Sequence, residues 1–179
     1  LNKRLIVTGC LPLINYERLK REVRFDGILG PSPSAKIVQA AQKAMLGERF
    51  TWLDGCYGAK PCLELPRRAV NPIVSIVPVA YGCLGSCSYC CVVFARGRLR
   101  SCQIEEIVKR IRQDMDSGAR EVWLTGQDMA CYGRDIGVSL VDLLHEVYQI
   151  EGDFFVRVGM MTPNHVLDML PELVKAFQN

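Results

Sequence analysis

The residues best suited to chemistry lie in Cys83-Leu-Gly-Ser-Cys87-Ser-Tyr-Cys90, a C-x3-C-x2-C run in a chain with nine cysteines. Three thiolates this close together can hold three corners of a cubane iron–sulfur cluster. The fourth iron then keeps an open position for a substrate or cofactor, by the logic that leaves a catalytic zinc with a vacant site. Gly82 and Gly85 let the loop fold tightly. A four-ligand electron-transfer site more often shows C-x2-C-x2-C with a distant fourth cysteine. The competing reading is a zinc site that takes Cys91 or Cys102 as fourth ligand, giving a zinc-stabilised binding module. Zinc loops usually pair two such half-sites at a distance, which this run does not show.

The rest of the composition frames that site. The chain has 179 residues, 49% of them hydrophobic and 23% charged. That is an ordinary globular balance and excludes a disordered or collagen-like chain. A net charge of +3 permits a nucleic-acid partner without arguing for one. The longest nearly uncharged apolar run, from Pro72 to Leu84, is too short and too interrupted to span a bilayer, so no membrane partner is expected. An odd cysteine count without a basic-then-apolar leader fits poorly with a secreted disulfide scaffold and predicts reduced thiols in the cytoplasm. The chain starts at Leu1 and stops at Asn179 directly after a helical pattern, which predicts a segment of a longer protein.

The elements that must position the cysteines follow from the patterning. Arg4 to Gly9 reads as a short strand with Cys10 on the loop after it, and Asn15 as the cap of a helix through Val23. Gly27 to Gly30 reads as a second strand, and Ser34 as the cap of a helix carrying Ile37, Val38, Ala41 and Met45. Residues 1–46 thus predict a small, partial α/β domain with parallel pairing. Residues 47–71 lose periodicity and read as a linker. Residues 72–179 give three β/α units. Strands at Ile73–Val79, Glu121–Leu124 and Phe154–Val158 alternate with helices starting near Ile104, Ser139 and Leu167. Ser139-x-x-Asp142 resembles a capping box, and Pro171 kinks or restarts the last helix. Three such units are what the first half of a (β/α) barrel gives, and the cysteine loop falls at the strand ends where such barrels carry their sites.

The cysteine spacing, with Tyr89 just before the third thiol, resembles the radical S-adenosylmethionine (SAM) superfamily. The strings YGCLGSCSYCCVVFARGRLRS, EVWLTGQDMACYGRD and VRVGMMTPNH resemble the methylthiotransferase family within it. They are most similar to the archaeal and eukaryotic branch that acts on N6-threonylcarbamoyladenosine in tRNA. VTGCLP is similar to that family's third N-terminal cysteine motif, which Cys10 matches.

The resemblance implies a mechanism. Cys83, Cys87 and Cys90 would hold a [4Fe-4S] cluster whose open iron is chelated by SAM. One electron from the cluster cleaves the sulfonium and releases a 5′-deoxyadenosyl radical, which abstracts hydrogen from C2 of the adenine at tRNA position 37. A second [4Fe-4S] cluster, with Cys10 as one of three ligands, delivers sulfur, and a second SAM the methyl group. A flavodoxin- or ferredoxin-like electron donor and a sulfur donor are implied as partners. The resemblance places Gly126-Gln127-Asp128 on the turn that contacts the SAM amino group. It makes Arg157 a candidate for the SAM carboxylate or a phosphate, against an ordinary ion pair. Arg96, Arg98 and Arg100 are candidates for the RNA backbone, against a solvated face. His145 and His165 read as structural and as a cap or turn residue. Cys56, Cys62, Cys102 and Cys131 carry no assigned role. Related substrates stay open: isopentenyl-adenosine in tRNA, or a ribosomal-protein aspartate.

Overall fold

A computed structural model describes residues 3–31, 33, 35–53, 60, 62–67 and 71–178. Ser34 and Cys56 lie outside the described residues. By packing, the chain divides into two units, residues 1–59 with 86–97 and residues 60–85 with 98–179.

The first unit is built on a parallel sheet. Its strands are β1 (Ile6–Val7), β2 (Gly27–Leu29) and β3 (Phe50–Trp52), paired in that order. Helices α1 (Leu11–Ile14), α2 (Tyr16–Glu22) and α3 (Lys36–Met45) connect them, and α4 (Val92–Arg96) belongs to the same unit. Ile28 and Leu29 on the middle strand are 0% and 1% exposed, as a strand paired on both sides requires. Asn15 caps α2 as its sequence position predicts, its side chain accepting from the Arg18 N–H. Asp26 ties β1 to β2 by accepting from the Leu5 N–H at 2.9 Å and from Arg4 at 3.1 Å. That backbone bond, and then Arg4, holds its carboxyl below the usual range. Strand β3 falls inside the stretch read from the sequence as linker. Three residues are too few to show alternation, and the pairing with β2 makes the strand.

The second unit holds β4 (Val74–Pro78), β5 (Ala80–Tyr81), β6 (Arg100–Ser101), α5 (Ile104–Asp116), β7 (Glu121–Thr125), α6 (Leu140–Tyr148), β8 (Phe155–Val158), α7 (Pro163–Val166) and α8 (Leu170–Gln178). Single 3-10 turns occupy Met129–Cys131 and Leu167–Met169. Strands β4, β7 and β8 pair in parallel, with Ile76, Trp123 and Arg157 in one row, while β5 and β6 form a short antiparallel ladder. Alternation along the strands decides the two faces. Val77, Val122 and Leu124 are fully buried with Ile107, Ile111, Leu143, Leu144 and Val147 from α5 and α6. On the other face Ile76 and Phe155 stay exposed, and the Arg157 guanidinium lies 4.6 Å from the Trp123 ring centre. The sheet is open: three parallel strands, with no barrel closed among the described residues. No helix among them is long and apolar enough to cross a membrane.

Local signals set the ends of these elements. The Ser139–Asp142 capping box is fully formed. The last helix restarts after a 3-10 turn, with Pro171 as its second residue, where a missing N–H costs nothing. Gly133 has φ of 81°, and a Cβ there would lie 2.4 Å from the Val138 carbonyl oxygen. Gly133→Ala is therefore expected to destabilise the second unit by about 2 kcal/mol, from combined αL strain and overlap. Chemical denaturation would measure it. A loss under a few tenths of a kcal/mol would show that this turn relaxes freely.

Candidate functional site

The cysteine loop starts where the first strand of the open sheet ends. After β4 and β5 the chain turns at Gly82, whose φ of 79° suits glycine. Its N–H donates to the Gln127 side-chain oxygen at 2.7 Å. Gln127 stands just beyond β7, so one residue of the polar turn fixes the start of the loop. Cys83 is half-buried, and its sulfur accepts the Gly85 N–H at 3.1 Å. In the first unit, Cys87 and Cys90 share a tight turn in which the Cys90 N–H donates to the Cys87 carbonyl at 3.0 Å. Cys87 is half-buried and Cys90 exposed. Tyr89 is 89% exposed, and its hydrogen bond to the Cys87 thiol raises its phenol above the usual range. All the described cysteines are free thiols.

Cys10 precedes α1, whose first turn hydrogen-bonds back to its carbonyl. Its sulfur accepts from Arg96 Nε at 3.2 Å, across 86 residues of sequence. Arg100 lies 5.3 Å from the Tyr81 ring centre, and Arg98 is exposed. Among the three alternating arginines, two thus have partners within the protein.

The Gly126-Gln127-Asp128 turn follows β7 as expected, but Asp128 is 2% exposed. Its Oδ1 accepts the Ala130 N–H at 3.1 Å and the Thr162 N–H at 3.0 Å, and its Oδ2 accepts the Cys131 thiol at 3.2 Å. One carboxylate thereby caps the 3-10 turn and ties it to the loop after β8. Gly126 packs closely, with room for a Cβ only 3.3 Å from the Met129 sulfur. Arg157 is exposed on β8 against Trp123.

Asp128, Cys131 and His165 form a cluster that the sequence does not reveal. One ligand atom from each lies within 4.8 Å of the others, so the three could coordinate a metal ion. Burial, and then the bond to Asp128, pushes the Cys131 thiol up to about 12. Cys131 and His165 are 34 positions apart and on different elements, so no spacing motif flags them. His145 is exposed on α6. Cys102 is buried in the core, which pushes its thiol up to about 11.

The chain matches no family model. It is homologous over nearly its whole length to curated threonylcarbamoyladenosine tRNA methylthiotransferases. It is 44% identical over 178 residues to the probable threonylcarbamoyladenosine tRNA methylthiotransferase of Pyrococcus abyssi, covering 99% of this chain and 41% of that protein. The probable enzyme of the same name from Methanothermobacter thermautotrophicus is 40% identical over 179 residues, again with 41% of its length covered. The threonylcarbamoyladenosine tRNA methylthiotransferase of Mus musculus is 33% identical over 183 residues, with 31% of its length covered. The chain spans about two fifths of the archaeal relatives it matches.

Proposed function

We propose that this chain is the portion of a tRNA methylthiotransferase that carries the radical SAM cluster loop. Residues 72–179 carry its first three β/α units, and residues 1–46 together with strand β3 are the end of the preceding domain. The reaction is installation of a methylthio group at C2 of N6-threonylcarbamoyladenosine beside the anticodon, in the cytoplasm, with tRNA, an electron donor and a sulfur donor as partners. The observation that carries this reading is the C-x3-C-x2-C loop, which follows the short strand β5 just past the carboxyl end of the parallel strand β4. It lies within a match of 44% identity over 99% of the chain.

The donor set fits an iron–sulfur cluster. Cys83, Cys87 and Cys90 are reduced, and none is sealed in the core. The Gly85 N–H on the Cys83 sulfur is the kind of bond that steadies a metal-bound thiolate. When bound, the cluster supplies the electron that cleaves SAM. The chain's own residues do the positioning. Gln127 holds the loop at Gly82, and Asp128 holds the polar turn after β7. With Asp128 buried and turned inward to cap the 3-10 turn, the turn carbonyls are the better direct acceptors for the SAM ammonium, and Asp128 keeps them in place. Arg157, exposed on the open face, is available for the SAM carboxylate. Cys10 with Arg96 belongs to the sulfur-delivering cluster.

The test is anaerobic reconstitution of the chain with iron and sulfide, followed by metal analysis and incubation with SAM and a reductant. A brown protein with about four irons per chain that releases 5′-deoxyadenosine is expected. A colourless chain that takes up zinc in place of iron would overturn the reading in favour of a zinc-stabilised module.

A further inference from the structure

We infer that Asp128, Cys131 and His165 form a binding site for one divalent ion of the zinc class, distinct from the cysteine loop. Asp128 is 2% exposed, and its two strong donors, the N–H groups of Ala130 and Thr162, both go to Oδ1. Among the described residues Oδ2 receives only the Cys131 thiol, a weak donor, at 3.2 Å. A buried carboxylate oxygen so poorly served is one that a cation stabilises. The second observation is His165. It is half-buried on α7, and its imidazole has no hydrogen-bond partner among the described residues. Its ligand atom, the Cys131 sulfur and an Asp128 oxygen all lie within 4.8 Å of one another.

The spacing suits a small ion. With metal–ligand bonds of roughly 2.0 to 2.3 Å, tetrahedral ligand pairs sit roughly 3.5 Å apart. The cluster therefore has to contract by about 1 Å. Asp128 and Cys131 are held in the packed 3-10 turn, so His165, less buried and on a one-turn helix, supplies the movement. Thr162, the N-cap of that helix, is bonded to Asp128, so the carboxylate already locates both ligand-bearing loops. One nitrogen, one oxygen and one sulfur select zinc or cobalt over magnesium or calcium, which take oxygen ligands. On binding, a sulfur–metal bond replaces the Cys131 S–H bond and the proton leaves to solvent. Oδ2 gives the metal the lone pair that had accepted the thiol hydrogen. No electron is transferred, and a water completes the tetrahedron.

The inference is independent of the proposed function, which iron content tests separately. The probe is Co2+, added to the chain with Cys83, Cys87 and Cys90 changed to serine so that the loop does not compete. One equivalent should bind with a thiolate-to-cobalt charge-transfer band, and zinc should displace it. His165→Ala should weaken binding at least about tenfold, since even partners that only orient a ligand cost that much. Cys131→Ala should abolish the band. Cys131→Ser should do the same while keeping a hydrogen bond to Asp128, so a loss there is not a loss of folding. Absence of the band in the parent chain, or its survival in Cys131→Ser, would overturn the site.

Discussion

Replacing Asp114 by alanine is expected to cost the second unit about 3 kcal/mol, more than an exposed surface ion pair contributes. Asp114 closes α5 and collects four donors. Arg110 Nε and Nη2 bind it in a two-pronged pair at 3.0 and 2.5 Å, Arg67 Nη2 reaches it at 3.0 Å, and the Ser75 hydroxyl at 2.5 Å. The Arg110 and Asp114 side chains are 11% and 16% exposed, so water does little to replace what is lost. Arg67 is already disfavoured as a cation, by burial first and then by Arg110. Without Asp114 two guanidiniums face each other in a half-buried site, and Ser75, 5% exposed, loses its acceptor. The melting temperature should fall by roughly 6–12 °C on the scale for a chain of this size. Asp114→Asn, which keeps an acceptor without the charge, should lose less. A drop in Asp114→Ala of under about 0.5 kcal/mol, the level of an exposed pair, would mean that the network is ornamental.

That network also shows where sequence reading stops. The α5 pattern of Ile104, Ile107, Val108 and Ile111 fixes which face is buried, because helical period and burial are the same fact. The Ser139–Asp142 box is legible for a similar reason: its partners are three residues apart. Asp114 is different. Its partners Arg67 and Ser75 are 47 and 39 residues away, and only the packing of α5 against β4 brings them together. Gln127 on Gly82 and Arg96 on Cys10 are long-range in the same way, across 45 and 86 residues. The polar turn after β7 could be placed from sequence. That its aspartate points inward to cap a 3-10 turn could not, since the Thr162 N–H comes from the loop after the next strand. Strand β3 was hidden for the opposite reason, being too short to carry a period of its own.

The largest effect belongs to the cysteine loop. Cys83→Ala, Cys87→Ala or Cys90→Ala should each take a reconstituted chain from about four bound irons to nearly none, since a cubane with only two protein ligands is not retained. The same substitution at Cys62 or Cys91, both exposed thiols, should leave the iron count unchanged. Cys10→Ala should leave it unchanged as well. Its sulfur is held by Arg96, and one thiolate does not cage a second cubane. Iron and sulfide assays on the six variants, each checked for folding by circular dichroism, would separate the two groups. Full iron retention after loss of any one of Cys83, Cys87 and Cys90 would sink the assignment of the loop. A parent chain with about eight irons would instead place a second cubane on Cys10 together with Cys56 or Cys62. The loss at Cys10 would then be half the iron, so the one variant reads out the division of ligands between the two clusters.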